Sequence, residues 1–189
     1  MRSPHIYEIK GEKKMARTKS TNTADTAPKN VAPKKIDRDY YVPVKSNVKG
    51  ELIYEAKDGS YTERWSDFGE VVEIPYSELV HIKNAKRAFF VNNWIVLEDT
   101  DEYTAQDFYR ALNIDKLYPN SDKVKDMNDV FALDTKEMGS FISSVSEGYK
   151  ENIATFAGQL IKENDPRLDK KSKVKALEKA LDRKLVNED

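Results

Sequence analysis

The chain has 189 residues, of which 39% are hydrophobic and 34% are charged. This length allows one domain or two small ones, and the low apolar share predicts a modest core. The net charge is only -1, so no overall field attracts the chain to nucleic acid or membrane. The absence of cysteine excludes disulfides, thiolate zinc sites and a thiol nucleophile. No apolar run approaches the roughly 20 residues that span a bilayer, so we expect a cytosolic protein without a membrane partner.

Residues 1–38 carry few large apolar side chains, which predicts a disordered basic arm. Lys10 to Lys14 can be encoded by a purine-rich ribosome-binding sequence, so translation from Met15 is an alternative start. The predicted nucleic-acid contacts are Arg17, Lys19, Lys34, Lys35 and Arg38. These scattered charges lack interleaved aromatic residues and would bind weakly, so a solvated tail or an arm that orders on a protein partner remains the alternative.

Short runs of β-type residues follow the arm and predict strands over residues 40–44, 51–56, 60–65 and 70–74. Their regular spacing favours a small antiparallel meander. Asp58 and Gly59 predict a type I′ turn between the second and third strands, and residues 47–50 predict a similar link between the first two.

A helix is predicted next, with Ser77 as its N-cap and an apolar face that reaches Phe89. Asn92 and Asn93 are expected to end it, before a strand over residues 94–97. Thr104 and Asp107 form a capping-box variant for a further short helix. Residues 39–120 are therefore predicted to form a β-rich α+β module.

Residues 121–189 are predicted to be helical. Asp134 and Glu137 have capping-box spacing ahead of an apolar stripe that runs from Met138 to Ile161. Three glycines weaken that helix, so it needs packing and is prone to bend or break. A last helix, from about residue 170, completes a helical hairpin with a strongly basic outer face.

No common catalytic or phosphate-binding motif is present, which predicts a protein that is not an enzyme and has no cofactor or metal. His81 has no second imidazole or thiol nearby and is expected to be structural or exposed. The acidic cluster at residues 98–102 lacks the spacing of a calcium loop and is expected to be a solvated turn.

The apolar stripes and an aromatic cluster predict protein interfaces. Phe89 and Phe90 are adjacent and are not expected to face inward together, so one is predicted to cover a sheet edge or enter a neighbour's pocket. The predicted interface residues are Phe89, Phe90, Trp94, Phe141, Val145, Tyr149, Phe156, Val174, Leu177 and Leu181.

A resemblance covers residues 40–186. It is carried by Glu-Leu-Ile-Tyr at 51–54, Trp-Ser-Asp-Phe-Gly-Glu at 65–70, Glu-Leu at 78–79, Phe-Phe-Val-Asn-Asn-Trp-Ile at 89–95, Leu-Asp at 168–169 and Lys-Val-Lys-Ala-Leu-Glu-Lys-Ala-Leu at 173–181. The chain resembles small structural-region proteins of bacteriophages that infect Gram-positive bacteria. It departs from them in its longer arm and at Lys171-Ser172, where they have a shorter turn.

The resemblance implies a virion or virion-assembly component, made in the host bacterial cytoplasm and then incorporated into the virion. Its partners would be other phage structural proteins or further copies of itself. We expect an α+β fold with a small antiparallel sheet, packed helices, a C-terminal helical hairpin and a flexible N-terminal arm. The rival hypothesis is a phage accessory protein that binds nucleic acid or a host factor through the basic arm.

Overall fold

The secondary structure of the chain follows the predicted order of a β-rich part and a helical part. A computed structural model describes residues 33–118 and 123–185. The strands are β1 (Tyr41–Ser46), β2 (Leu52–Glu55), β3 (Thr62–Trp65), β4 (Val71–Pro75) and β5 (Ile95–Leu97). The α-helices are α1 (Tyr76–Ala85), α2 (Ala88–Val91), α3 (Ala105–Ala111), α4 (Met127–Ala132), α5 (Thr135–Ser144), α6 (Glu147–Lys162) and α7 (Lys171–Leu181). The chain is an α+β protein, as predicted.

The main sheet has three antiparallel strands in the order β4-β1-β5. Val44 at its centre lies opposite Val72 on β4 and Leu97 on β5. The predicted meander is wrong, because β1 pairs with β4 instead of with β2. Ser46 closes this pairing, since its carbonyl accepts from the Gly69 amide at 2.9 Å and its amide donates to Glu70 O at 2.9 Å.

Strands β2 and β3 form a separate antiparallel hairpin inserted between β1 and β4. Its loop is longer than predicted, because Ala56 and Tyr61 close the hairpin with a bond of 2.9 Å. Within that loop only Gly59 has a positive φ, at 71°, whereas a type I′ turn needs two such residues. The hairpin attaches to the sheet through Trp65, whose buried indole nitrogen donates to Val44 O at 3.0 Å.

Helix α1 begins one residue before the predicted N-cap Ser77, directly after Pro75. Its first amides bond to the preceding segment instead of to a capping side chain. Tyr76 N donates to Tyr40 O at 2.8 Å, and Ser77 N donates to Arg38 O at 2.9 Å. Ile36 is buried in the same core, so residues 33–38, the end of the predicted arm, pack against the sheet module.

The predicted helix through Phe89 is two helices, because α1 ends at Ala85 and α2 starts at Ala88. Phe89 and Phe90 lie in the second of these helices and are both buried in the core, which corrects the expectation that one of them faces outward. Asn93 ends α2 with a φ of 51°, and β5 follows, both as predicted.

The stripe predicted as one long helix is divided between α5 and α6 at Val145 and Ser146. Ser146 is the N-cap of α6 and accepts from Tyr149 N at 3.2 Å. Its hydroxyl also donates to Val91 O at 2.8 Å, which ties the break to α2. Helix α4 lies within the predicted helical region but before the first helix that was assigned there, and Asp126 and Asp129 form a full capping box at its start.

Two hydrophobic cores divide the described residues. The first joins both sheets to α1, α2 and α3. The second joins α4 to the C-terminal helical hairpin, in which α5 packs on α7, and there Phe131 stacks on Phe156 with ring centroids 5.6 Å apart.

Asn47 joins the two cores. It follows β1 and is 0% exposed. Its amide N–H donates to Trp94 O at 2.8 Å, and its side-chain nitrogen donates to Asn93 O at 3.0 Å, both in the first core's part of the chain. Its side-chain oxygen accepts from Met127 N at 2.7 Å, and its carbonyl accepts from the Asn152 side chain at 2.9 Å. One buried residue therefore bonds to both halves of the protein.

Replacing Asn47 with alanine is expected to destabilise the protein by about 2 to 4 kcal/mol. The change leaves the Asn93 carbonyl and the Met127 amide buried without partners, each at a cost of about 1 to 3 kcal/mol. Urea unfolding measures the effect, with Asn84→Ala on the exposed surface of α1 as the matched control. Equal stability of the two variants would contradict a joining role for Asn47.

Glycine substitutions test the contact between α6 and the end of α2. A Cβ at Gly148 would overlap the Asn92 side-chain amide, whereas a Cβ at Gly158 meets nothing within 4 Å. Gly148→Ala forces the Asn92 side-chain amide to move, so it is expected to stabilise the protein less than Gly158→Ala does. Gly158→Ala is expected to stabilise it by about 0.5 to 1 kcal/mol, because alanine favours the helix. Chemical unfolding measures both changes in the free energy of unfolding, and equal gains would contradict the tight contact at Gly148.

Candidate binding site

The structure divides the predicted interface residues into buried and accessible groups. The buried residues pack inside the protein's own cores and are not accessible to a partner. They are Phe89, Phe90, Tyr149, Phe156, Leu177 and Leu181. An apolar stripe on a helix shows that burial is needed, and here the same chain supplies the covering surface. The accessible ones are only partly buried: Trp94, Phe141, Val145 and Val174.

Phe141 and Val145 come together in a pocket between the two cores, which we call the seam pocket. Its volume is about 160 Å³. The pocket is lined by Val91, Asn93, Lys116, Leu117, Tyr118, Val124, Phe141, Ser144, Val145, Ser146 and Tyr149. Trp94 and Val174 lie outside this lining: Trp94 packs edge-on to Phe89, and Val174 packs on the second core.

Local structure fixes the lining residues that matter most. Asn93 is held in the left-handed region between α2 and β5, and its carbonyl accepts from Asn47. Tyr149 lies in the first turn of α6, where Ser146 caps the helix, and its ring meets Phe141 edge-on at 5.9 Å. The residues that join the two cores therefore also hold the lining of the pocket in position.

Asn93 and Tyr149 meet at the seam pocket. Asn93 is 7% exposed and Tyr149 is 5% exposed. The Asn93 side-chain oxygen and the Tyr149 hydroxyl are both buried and form no hydrogen bond of standard geometry within the described part of the chain, but the side chains of Asn93 and Asn47 lie within hydrogen-bonding reach of that hydroxyl. By contrast, the Tyr118 hydroxyl in the same lining lies within hydrogen-bond distance of Phe90 O at 3.2 Å and Ile95 O at 3.1 Å.

The Tyr149 phenol is a hydrogen-bond donor at neutral pH. Burial raises its pKa above the usual value, and the nearby side chains of Asn93 and Asn47 oppose that rise only in part. The phenol therefore keeps its proton.

A larger cleft lies beside β5 and the start of α3. Its volume is about 580 Å³, and Lys45, Glu98 and Asp99 are among its lining residues. Lys45 forms ion pairs with Glu98 and, at 3.1 Å, with Asp126. Burial alone would lower the pKa of the Lys45 ammonium, but the two carboxylates outweigh it and leave that pKa raised. Lys45 therefore stays charged and acts as an ion-pair residue, since a lysine nucleophile needs a lowered pKa.

The acidic cluster serves structural contacts. Glu98 pairs with Lys45, and Asp99 accepts from Ala105 N at 2.7 Å at the start of α3. Within residues 33–118 and 123–185, no group of three or more potential metal ligands comes together. His81 is exposed, with its ring nitrogen 3.2 Å from a Glu78 oxygen.

The predicted nucleic-acid contacts lie only in part within the chain that the structure describes. Arg17 and Lys19 lie outside the described residues. Lys34 donates to Asp107 at 2.7 Å and lies over the Tyr103 ring, so its charge is already matched by a carboxylate. Lys35 and Arg38 are exposed on either side of the buried Ile36.

Sequence reasoning missed Asn93 and Tyr118 as pocket residues and placed Tyr149 in an interface. Asn93 carries a usable signal, because an asparagine at the end of an apolar helix can take the left-handed conformation that stops the helix. Its pairing with Tyr149 depends on the packing of two distant segments, and no local pattern encodes it.

Comparisons with protein-family models, with curated proteins and with solved structures found no match to the chain. None of the helices in the described part of the chain has the length and apolar character that crossing a membrane requires.

The buried tyrosines predict how the protein responds to alkaline pH. Burial raises the pKa of Tyr109, Tyr118 and Tyr149 above the ordinary value of 10.0. The unfolded chain releases these phenol protons above about pH 10 while the folded chain keeps them, so stability falls as pH rises beyond that point.

We expect the three phenols to ionise only as the protein unfolds. Absorbance at 295 nm and far-UV circular dichroism, recorded together from pH 9 to pH 13, measure the two events. Tyr41→Phe changes an exposed tyrosine and, as the control, should lose its far-UV signal over the same pH range as the original chain. Complete ionisation of all tyrosines with the helical signal intact would contradict the burial.

Proposed function

We propose that the chain is a non-enzymatic bacteriophage virion or virion-assembly protein that acts by binding other proteins. The observation that carries this proposal is the seam pocket, in which the accessible predicted interface residues Phe141 and Val145 stand side by side. The resemblance of residues 40–186 to phage structural-region proteins is the reason for proposing a bacteriophage protein.

The lining of the seam pocket supports recognition of a protein partner. Its walls are mainly apolar and include the aromatic rings of Phe141 and Tyr118, and such anchors concentrate binding energy at protein interfaces. Its buried phenols hold their protons, because burial raises the pKa of Tyr118 and Tyr149. They therefore suit hydrogen bonding better than proton abstraction at neutral pH.

The rival proposal, nucleic-acid binding through the basic arm, receives less support from the described residues. Lys34 is engaged by Asp107 and by the Tyr103 ring. A phosphate would have to compete with that carboxylate for the ammonium, which weakens the contribution of this lysine to counterion release.

Incorporation into phage particles tests the proposed function. Mass spectrometry of purified virions is expected to find the protein at a fixed ratio to the other structural proteins. Phe141→Ser should lower its incorporation by about tenfold or more, because a hot-spot aromatic is lost. Ile53→Ser, which changes an exposed side chain on the β2–β3 hairpin away from the pocket, is the matched control.

Thermal melting of both variants separates a loss of binding from a loss of folding. If particles lack the protein and assemble at normal yield without its gene, the proposal fails. Equal incorporation of Phe141→Ser and Ile53→Ser would instead show that the seam pocket is not part of the surface that binds other virion proteins.

A further inference from the structure

Helix α7 has a buried side and a charged side. Leu177 and Leu181 are buried in the second core. Lys171, Lys175 and Lys179 are exposed, and their spacing of four residues places them in one row on the outer face of the helix. We call these three residues the lysine row. Because an α-helix rises by about 1.5 Å per residue, the row spans roughly 12 Å along the helix axis.

The charges of the lysine row are not neutralised within the described part of the chain. None of its three ammonium groups forms an ion pair or a hydrogen bond there. Glu178, the acidic residue of α7, is engaged elsewhere: its carboxylate accepts from Leu185 N at 2.9 Å and pairs with Lys184 at 3.9 Å. Asp182 is exposed, but it follows the end of the helix. The row therefore presents its positive charges to solvent.

Other cations add to the positive potential near the start of α7. Burial lowers the pKa of the Lys173 ammonium below its usual value, and the positive charges of Lys170 and Arg167 lower it further. The carboxylates of Asp134 and Asp169 act on Lys173 more weakly than these two cations do. Positive charge is therefore in excess around this end of the helix.

The composition of the exposed side of α7 selects among polyanions. Its exposed residues are the lysine row and Ser172, without an aromatic or large apolar side chain. Protein interfaces are depleted of lysine and concentrate their energy in aromatic residues and arginine. A helix that lies on a membrane inserts apolar residues, and a single-stranded nucleic acid stacks its bases on aromatic rings. A nucleic-acid duplex needs none of these groups, because its charge density of one phosphate per about 1.7 Å suffices for binding by lysine.

We propose that the lysine row binds the phosphate backbone of double-stranded nucleic acid. Over the length of the row a duplex carries about seven phosphates, which exceeds the three ammonium groups that would contact them. Phosphate contacts carry no sequence information, so binding is independent of the base sequence. The proposal goes beyond the proposed function, since no residue of α7 lines the seam pocket.

Fluorescence anisotropy with the full chain and a labelled DNA duplex of about 20 base pairs tests the proposal, at NaCl concentrations from about 50 to about 200 mM. The original chain is expected to bind two duplexes of unrelated sequence with equal affinity. Replacing all three lysines of the row with glutamine should weaken binding by about tenfold or more at the lowest salt. It should also reduce the slope of log affinity against log salt by about 2 to 3, because each phosphate contact contributes about 0.9.

Two further variants separate the lysine row from a general effect of charge. Arginine at the same three positions keeps the charge and should preserve the affinity. The matched control combines Lys57→Gln, Lys86→Gln and Arg87→Gln, which remove the same charge from exposed sites outside α7. This control should weaken binding by no more than about twofold. Glutamine and arginine favour a helix about as well as lysine does, and thermal melting verifies that each variant is folded. Equal weakening by the two glutamine variants, or loss of binding in the arginine variant, would overturn the proposal.

Other polyanions are compared at the same salt concentrations. The probes are the single strand of the same DNA, polyglutamate, and vesicles of phosphatidylcholine and phosphatidylserine at about 3:1. The duplex is expected to bind more tightly than each of them. Tighter binding of any of the three, with the same loss in the glutamine variant of the lysine row, would assign the row to that class of partner and overturn the proposal. Absence of duplex binding at about 50 mM NaCl would overturn it as well.

Discussion

The arrangement of this protein depends on one buried asparagine. Asn47 bonds to the backbone of Asn93 and Trp94 on one side, and to Met127 and Asn152 on the other. A buried amide is costly unless its groups are paired, so the position is stable only when both halves of the protein are present and correctly oriented. The hydrophobic cores provide most of the driving force for folding, but apolar contact is not directional. The directional bonds of Asn47 set how one core faces the other.

The seam pocket is a consequence of that junction. Asn47 holds the backbone of Asn93 in place, and the Ser146 hydroxyl bonds to Val91 O, so the end of α2 is fixed against the start of α6. Two surfaces held together by a few fixed polar contacts cannot adjust freely to fill every gap between them. The gap that remains is lined by side chains of both cores, and it places Asn93 and Tyr149 at one site.

Local features of the fold were predictable, and long-range features were not. The caps at Thr104 and Asp134 and the helix end at Asn92 and Asn93 are encoded within a few residues, and each was found from the sequence. The pairing of β1 with β4 was missed, because alternation of apolar residues specifies which face of a strand is buried and leaves its partner open. Helix α4 falls in the region predicted to be helical, but its bounds were not assigned, because six residues are too few for apolar positions to show a period.

The same limit explains why most of the predicted interface residues are buried in the protein's own hydrophobic cores. An apolar stripe shows that a helix must be covered, but Phe156 is covered by Phe131 of its own chain. Asn93 and Tyr149 show the same limit, since both line the seam pocket and are buried. They lie on distant segments of the chain, so only the assembled fold brings them together. Periodicity within one helix specifies which face must be covered, and it leaves open which part of the chain covers it.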